Sequence, residues 1–368
     1  MSDVRTSDEV AARIVAEGVA PNASAGWAAR RSDGRWELSA GGATSAFFDL
    51  ASLTKPMTAM AVALGRAPRT TPLGTLLPAA RGTPSEHATV ELLLAHRAGL
   101  EANLPLYRPL MEKRVVVHDE ALSEAARARR PDAQGAIPVS GFPPLYSDLG
   151  YLLVGEALVL SQAVHCEGED MGDVLGRLIV EPLGLAAELG SARALEALGD
   201  RAHFAERVVP TEVVPWRGGE VRGRVHDENA FALRGAGACG HAGMFGTASA
   251  VLGFGVAVLE AISRGRGALA TDDDLDWLVR PRQGGTLRAG FDGKSEGGGS
   301  SAGERAGPLT FGHLGFTGTS LWIDPDAEAV VVLLTNRVHP TRDNVAIRAA
   351  RPLAHDALFA MAAEAAHR

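Results

Sequence analysis

The chain has 368 residues, of which 46% are hydrophobic and 22% charged, and its 36 basic and 44 acidic side chains give a formal net charge of −8. This length predicts two domains, or one large domain with an insertion, around a substantial core. The composition excludes collagen, coiled coils and long disordered chains. A mildly acidic chain without a basic run also predicts no nucleic-acid partner.

The beginning of the chain is polar, and no secretory signal is readable there. The longest stretch without an ionised side chain runs from Gly235 to Leu259 and contains seven glycines. It predicts a glycine-rich loop and a buried helix rather than a membrane span. Cys166 and Cys239 match neither a disulfide framework nor a zinc site. We therefore expect a cytoplasmic protein without a membrane partner.

Hydrophobic periodicity and turn residues predict the first elements in chain order. An amphipathic helix is expected over 7–19, a hairpin over 26–39 and a short third strand over 47–50. A helix should follow from Ser52 to about Gly65. Between 66 and 282 the pattern favours helices and loops, with helices expected at 91–96, 119–128, 150–164, 171–179, 191–198 and 248–262.

Strand patterns return at the end of the chain. Residues 293–308 are a glycine-rich, low-complexity stretch that predicts a mobile surface loop. A second hairpin is expected over 319–334, followed by a helix from Asn344 to about Ala365. Because strands lie at both ends and helices fill the middle, we predict an α/β protein of the α+β type.

The predicted architecture is an antiparallel sheet flanked by helices, built from both termini, with an all-helical insertion. Residues 1–66 and 283–368 would form the α/β domain, and residues 67–282 the mainly helical domain. An active site would lie in the cleft between them.

The sharpest local feature is the Ser-x-x-Lys pattern of Ser52 and Lys55, which places a hydroxyl and an amine on one helix face. At a helix start, free N–H groups and the positive dipole end favour an alkoxide. A lysine whose pKa is lowered by burial can take the serine proton itself. Alone, the pattern is also typical of a solvated helix face, but the helix that follows is apolar.

Two further features carry chemistry. Tyr146 stands between a proline-rich loop and an apolar helix, where a nearby cationic lysine would lower its pKa and make the phenolate a base. The alternative is a tyrosine whose ring packs while its tip meets water. Residues 312–318, rich in glycine, could supply an oxyanion-hole N–H or form a bulged edge strand.

Together and in this order, the three features resemble the penicillin-recognising serine hydrolases, which combine Ser-x-x-Lys, Tyr-x-Asn or Tyr-x-Asp, and Lys/His-Thr-Gly before a late strand. The chain is most similar to the branch of class C β-lactamases, D-alanyl peptidases and esterases. The resemblance spans roughly residues 20 to 360 and implies the β-lactamase/transpeptidase-like fold. Further phrases typical of that branch lie at 93–100, 146–151, 225–230, 240–245 and 334–337.

The resemblance implies a role for each matching residue. Ser52 would be the acylated nucleophile, and Lys55 would orient it and share its proton. Tyr146 would be the general base in acylation and would activate water for deacylation. Asp148 stands where many relatives have Asn. An ionised Asp148 would keep Lys55 charged, which favours Tyr146 as the base.

The segment His313-Leu314-Gly315 would occupy the Lys-Thr-Gly position, and the oxyanion hole would then be the backbone N–H groups of Ser52 and Phe316. If residues 316–318 occupy that position instead, the second donor becomes Thr319. Leucine cannot donate a hydrogen bond, and histidine is mostly neutral at pH 7. We therefore expect weak penicillin hydrolysis and a better fit to an uncharged ester or small amide.

The sequence thus predicts a serine acyl hydrolase with a small-molecule ester, amide or β-lactam substrate, most simply an esterase or small amide hydrolase. A β-lactamase, a D-alanyl-D-alanine carboxypeptidase or D-aminopeptidase, and a catalytically silent binding protein remain alternatives. No cofactor is expected. No metal is expected either, because His226, Asp227 and His241 match no standard ligand spacing. The cluster of Arg337, His339 and Arg342 could line the rim of the site.

Overall fold

The structure, a computed structural model, describes residues 4–65, 68–162, 168–198, 201–271 and 274–367. Cys166 and the last residues of the helix predicted over 150–164 lie outside the described residues.

The strands are β1 (Ala23–Arg30), β2 (Trp36–Gly42), β3 (Phe48–Asp49), β4 (Leu189–Ser191), β5 (Val213–Val214), β6 (Gly219–Glu220), β7 (Met244–Gly246), β8 (Asp292–Gly293), β9 (Phe311–Leu314), β10 (Ser320–Asp324) and β11 (Ala329–Thr335).

The α-helices are α1 (Ser7–Ala16), α2 (Thr54–Leu64), α3 (Leu73–Leu76), α4 (Val90–Leu94), α5 (Arg108–Met111), α6 (His118–Arg127), α7 (Asp148–Leu160), α8 (Met171–Leu175), α9 (Ala192–Ala197), α10 (Arg201–Arg207), α11 (Glu228–Arg234), α12 (Ala248–Arg264), α13 (Asp276–Val279) and α14 (Ile347–Ala366). Short 3₁₀ turns lie at Ala51–Leu53, Pro78–Ala80 and Pro215–Arg217, and a π-helical turn at Gly176–Val180.

The main sheet has six antiparallel strands in the order β2-β1-β11-β10-β9-β8. Its strands come from residues 23–42 and 292–335, so the prediction of an antiparallel sheet built from both ends of the chain is confirmed. Register is set around β11, where Ala29 lies opposite Ala329 on one side and Ser320 lies opposite Leu333 on the other.

Both faces of this sheet are covered because side chains alternate along each strand. In β11, Val331 and Leu333 join a core with α1 and α14, whereas Val330 and Val332 face the larger core that includes α12. The central strand is therefore buried throughout, apolar except for Thr335, and rich in β-branched residues. Helix α12, which falls inside the predicted helical region 67–282, packs directly on the sheet. The domain division itself stays a prediction.

Two predicted segments differ in detail. The strand expected over 47–50 exists as β3, but it pairs with β7 in a separate three-stranded sheet, β3-β7-β4. The glycine-rich stretch 293–308 is exposed only in part, since Ala302 and Ala306 are buried against α14 and its neighbours. Apolar residues within the stretch anchor it, although its composition alone predicted a surface loop.

In the part of the chain that the structure describes, no helix combines the length and apolar character needed to cross a bilayer.

Candidate active site

Ser52 lies in the 3₁₀ turn Ala51–Leu53, directly before α2. The turn depends on Ala51, whose φ of 48° falls in the left-handed region that residues with a Cβ rarely adopt. Asp49 Oδ1 stabilises the turn by accepting a hydrogen bond from Ala51 N at 2.8 Å. Such a conformation costs about 1–2 kcal/mol and is typical of functional sites. It presents Ser52 to a cavity.

Lys55 is completely buried one turn further along. Its Nζ donates to Ser52 Oγ at 2.8 Å and to the His241 carbonyl at 3.2 Å, and it lies 2.7 Å from Asp148 Oδ1. Burial lowers the pKa of Lys55, but the charge of Asp148 and the contact with Tyr146 outweigh burial, so the pKa is raised. Lys55 is therefore an ammonium at neutral pH, which agrees with the expectation drawn from Asp148.

Tyr146 ends the loop before α7, and its hydroxyl is within hydrogen-bonding reach of the Lys55 and Ser52 side chains. Its ring stacks on His96 with 4.7 Å between the ring centroids. Burial raises the pKa of Tyr146 and outweighs the opposing charge of Lys55. The prediction that this pKa falls below its ordinary value is therefore wrong, because desolvation is the larger effect.

Helix α7 positions both Tyr146 and Asp148 at its start. The Ser147 side chain caps the helix by accepting a hydrogen bond from Gly150 N at 3.4 Å, and Ser147 N donates to His96 Nδ1 at 2.9 Å. These bonds fix the backbone between Tyr146 and Asp148, so that both side chains reach Lys55.

Strand β9 forms the opposite side of the site. His313 Nδ1 donates to the Leu314 carbonyl at 2.8 Å, which leaves Nε2 as an acceptor. Burial, reinforced by the charge of Lys55, lowers the pKa of His313 to about 3. The ring is therefore neutral at pH 7, and Leu314 beside it offers no hydroxyl. This side of the site lacks a cation and a side-chain hydroxyl at 313 and 314.

The loop after β9 is held against the backbone that precedes Ser52. Thr317 Oγ1 donates to the Asp49 carbonyl at 2.8 Å, and Thr319 Oγ1 donates to the Leu50 carbonyl at 3.0 Å. A Cβ on Gly315 would lie only 2.6 Å from the Leu50 carbonyl oxygen, so glycine is required for this approach. The end of β3 and the loop after β9, which are distant in sequence, thus meet beside Ser52.

A cavity of about 540 Å³ connects these groups. Among the predicted site residues, those that line it together are Ser52, Tyr146, Asp148, His313, Gly315 and Phe316. Lys55 lies behind Ser52, fully buried. Thr319, the alternative oxyanion donor, is also fully buried and does not line the cavity.

Sequence reasoning missed several residues of the cavity wall. Asn103 and Leu287 come from loops and Asp292 from the short strand β8, and none of them belongs to a recognisable motif. Arg351 comes from α14, where a charged residue interrupts the buried face formed by Ile347 and Ala354 and by further residues along the helix. This charged residue on a buried helix face was the sequence signal that could have identified Arg351 as part of the site. Of the proposed rim cluster, Arg337 and Arg342 line the cavity, whereas His339 does not.

The histidines considered as metal ligands are paired with acids instead. His226 Nε2 lies 3.0 Å from Glu212 Oε2, and His241 Nε2 lies 2.9 Å from Asp227 Oδ1. Burial favours a raised pKa for Asp227, but the contact with His241 and the helix-capping hydrogen bond from Ala230 N outweigh burial and hold the pKa of this carboxyl below its usual range. Within the described ranges, no three His, Cys, Asp or Glu side chains are grouped as metal ligands.

The sequence matches the family described as Beta-lactamase over residues 11–355. The chain belongs to that family. Membership of this family agrees with the resemblance seen in the motifs, and the mixed α/β fold agrees with the fold that the resemblance implied.

Known proteins similar to this β-lactamase-family chain carry several different names. It is 28% identical to a putative D-alanyl-D-alanine carboxypeptidase of Escherichia coli (strain K12), over 54% of this chain and 46% of the relative, so the match spans about half of the relative's length. A class C beta lactamase from Rhodobacter sphaeroides shares its fold with a TM-score of 0.63 at 16% identity, covering 95% and 97% of the two chains. A family VIII carboxylesterase also shares this fold, with a TM-score of 0.60 at 15% identity, and the match covers 96% of each chain.

Proposed function

We propose that this chain hydrolyses small uncharged esters or amides through an acyl-enzyme formed on Ser52. The observation that carries the proposal is that the Ser52 hydroxyl and the Tyr146 phenol line one cavity, with the Lys55 amine directly behind Ser52 and hydrogen-bonded to it. Acyl transfer needs a nucleophile within hydrogen-bonding distance of groups that can take its proton, here the pair of Lys55 and Tyr146, and it needs backbone N–H donors beside the nucleophile.

In the proposed acylation, Ser52 Oγ attacks the carbonyl carbon while its proton passes to an ionised Tyr146. Lys55 stays an ammonium, because Asp148 stabilises its charge, and it stabilises the phenolate in turn. The carbonyl oxygen becomes an oxyanion that accepts hydrogen bonds from the N–H groups of Ser52 and Phe316. Collapse of the tetrahedral intermediate expels the alcohol or amine, which takes the proton from Tyr146.

In the proposed deacylation, water takes the place of Ser52 as the nucleophile, and Ser52 becomes the leaving group. Water gives a proton to the Tyr146 phenolate and attacks the ester carbonyl of the acyl-enzyme. The second tetrahedral intermediate then releases the carboxylic acid, and Ser52 recovers its proton from Tyr146.

The pH dependence follows from the resting protonation states. The pKa values of Lys55 and Tyr146 are both raised, so at neutral pH the pair holds one proton more than catalysis requires. Activity should therefore rise as pH increases above neutrality. The midpoint of this rise belongs to the coupled pair and not to either residue alone.

The proposed preference for an uncharged substrate rests on His313 and Leu314. Neither offers a positive charge or a hydroxyl to a substrate carboxylate at pH 7. Two of the arginines that line the cavity are occupied by the protein itself, since Arg342 pairs with Glu212 and Arg337 donates to backbone carbonyls, whereas Arg348 lies exposed at the cavity wall.

The decisive experiment compares the native chain with Ser52→Ala on p-nitrophenyl acetate and butyrate, nitrocefin and D-alanyl peptides. We expect ester turnover by the native chain, labelling of Ser52 by a fluorophosphonate, and a loss of at least about 10³-fold in Ser52→Ala. Unchanged turnover in Ser52→Ala would refute the proposal.

The same panel separates the alternatives. Faster turnover of nitrocefin or of D-alanyl peptides than of esters would favour a β-lactamase or a peptidase. This second function is suggested by the names of the similar proteins. Stable ligand binding without labelling of Ser52 would favour a silent binding protein.

We further propose a cytoplasmic location for this chain. Cell fractionation with an antibody against the chain tests it, and recovery of the chain outside the cytoplasmic fraction would contradict it.

A further inference from the structure

The peptide unit that joins Gly315 to Phe316 is held by a buried arginine from the last helix. Arg351 Nη2 donates to the Gly315 carbonyl at 2.8 Å and to the Thr319 carbonyl at 3.0 Å. Arg337 holds the next carbonyl, because its Nε and Nη2 donate to Phe316 O at 2.9 and 2.7 Å. Two guanidinium groups thus fix the peptide planes on both sides of Phe316.

The first of these contacts determines where the Phe316 N–H points. In a trans peptide the carbonyl of one residue and the N–H of the next are rigidly coplanar and point in opposite directions. Since the Gly315 carbonyl points at Arg351, the Phe316 N–H points away from it. The described residues provide no acceptor for this N–H, and Phe316 lines the catalytic cavity.

We propose that Arg351 is a positioning residue for the oxyanion hole, which orients the Gly315–Phe316 peptide and strengthens its N–H as a donor. The inference rests on the proposed function, in which Phe316 N binds the oxyanion. A positive charge on the carbonyl oxygen withdraws electron density through the conjugated amide. The N–H at the other end of that amide therefore becomes a better hydrogen-bond donor.

Arg351 has no acidic partner to explain its position. It is only 8% exposed, and among the described residues no carboxylate lies within ion-pair distance of it. Burial lowers its pKa to about 10, which still leaves it charged at neutral pH. A buried charge is costly unless its contacts compensate, and here those contacts are the two carbonyls that frame the loop.

The loop needs such a restraint because it contains glycines at both turns. Gly315 N donates to the Thr319 carbonyl at 2.7 Å, which closes the loop, and Gly318 has a φ of 107°. Glycine has a wide range of backbone conformations, so the Gly315–Phe316 peptide could rotate if its carbonyl were free. Arg351 removes that freedom by holding both Gly315 O and Thr319 O.

The test compares Arg351→Met, which keeps the length but loses the charge, with Arg351→Lys, which keeps a charge and donors. Arg129→Met is the matched control, because Arg129 also donates to two backbone carbonyls, those of Ala133 and Pro84, but does not line the cavity. Substrates are p-nitrophenyl acetate and its thiono analogue, in which sulfur replaces the carbonyl oxygen. Sulfur is a weak hydrogen-bond acceptor, so the thionoester benefits little from an oxyanion hole.

We expect kcat/KM for the oxoester to fall about 10- to 100-fold in Arg351→Met. The oxoester-to-thionoester ratio should fall at least about tenfold, with the midpoint of the pH profile unchanged. Arg351→Lys should lie between Arg351→Met and the native chain, and Arg129→Met should keep the native ratio. An unchanged ratio in Arg351→Met would overturn the inference even if activity fell. If that variant does not fold, as judged by circular dichroism, the ratio in Arg351→Lys decides: a native ratio overturns the inference.

Failure of the proposed function is distinguishable from failure of this inference. If Ser52→Ala keeps native turnover, the acyl-enzyme proposal fails and the inference fails with it. If Ser52→Ala is inactive while both Arg351 variants keep the native ratio, only the inference fails.

Discussion

The two sides of the cavity differ in the proton-transfer groups and substrate-binding groups that they provide. The helical side, at the starts of α2 and α7, carries the proposed proton-handling groups Ser52, Lys55 and Tyr146. The strand side, at β9, has a neutral His313 and a Leu314, which in the proposed alignment stand at the positions of a cation and a hydroxyl in the Lys-Thr-Gly motif. It still provides glycine backbone and an N–H donor in the loop that follows.

This difference separates reaction chemistry from substrate recognition. Attack on a carbonyl requires the nucleophile, the base and the oxyanion donors, and all three have candidates here. Recognition of a substrate carboxylate requires charge and hydroxyl groups on the strand, and those are absent at 313 and 314. The comparison predicts a general acyl hydrolase with altered specificity, which variants on each side can test.

The largest effect is expected from Tyr146→Phe on the helical side. Loss of the base should lower kcat for p-nitrophenyl acetate by about 10²–10⁴-fold. Tyr151→Phe is the matched control, since Tyr151 is also near Lys55 but donates to the Leu94 carbonyl at 2.7 Å. An equal loss of activity in both variants would contradict the role of Tyr146 as the base.

Asp148→Asn should shift the pH profile rather than abolish activity. The negative charge of Asp148 raises the pKa of both Lys55 and Tyr146. Removing it lowers both pKa values, so the rise in kcat with pH should move to lower pH by about one unit or more. Asp292→Asn, on another part of the wall, should leave the midpoint in place. A shift to higher pH in Asp148→Asn would reverse the proposed electrostatics.

The smallest effect is expected on the strand side from Leu314→Thr. A new hydroxyl in the cavity wall should improve kcat/KM for a carboxylate-bearing substrate such as nitrocefin by about 2- to 10-fold relative to p-nitrophenyl acetate. Leu314→Val has the shape of threonine without the hydroxyl and separates hydrogen bonding from volume. If both variants change the ratio equally, the missing hydroxyl does not determine specificity.

Short-range patterns were sufficient for most of the fold and for the centre of the site. The hairpins at each end, the buried helix after Ser52 and the final helix depend on neighbours a few residues apart, so their periodicity was informative. The spacing of Ser52 and Lys55 likewise places both on one turn, and the order of the motifs pointed to the family. For residues 312–318 a bulged edge strand was only the alternative to an oxyanion-hole loop, because glycine at 312 and 315 obscured the pattern of β9.

The sequence by itself thus determined the sheet from both ends, the family and the candidate nucleophile with its lysine and tyrosine. Only the tertiary structure decided the direction of the pKa of Tyr146, since desolvation depends on residues packed from elsewhere in the chain. Only the tertiary structure placed Arg351 on the Gly315 carbonyl, 36 residues away in sequence. Charges and hydrogen bonds act through space, and spacing along a chain does not encode which distant groups meet.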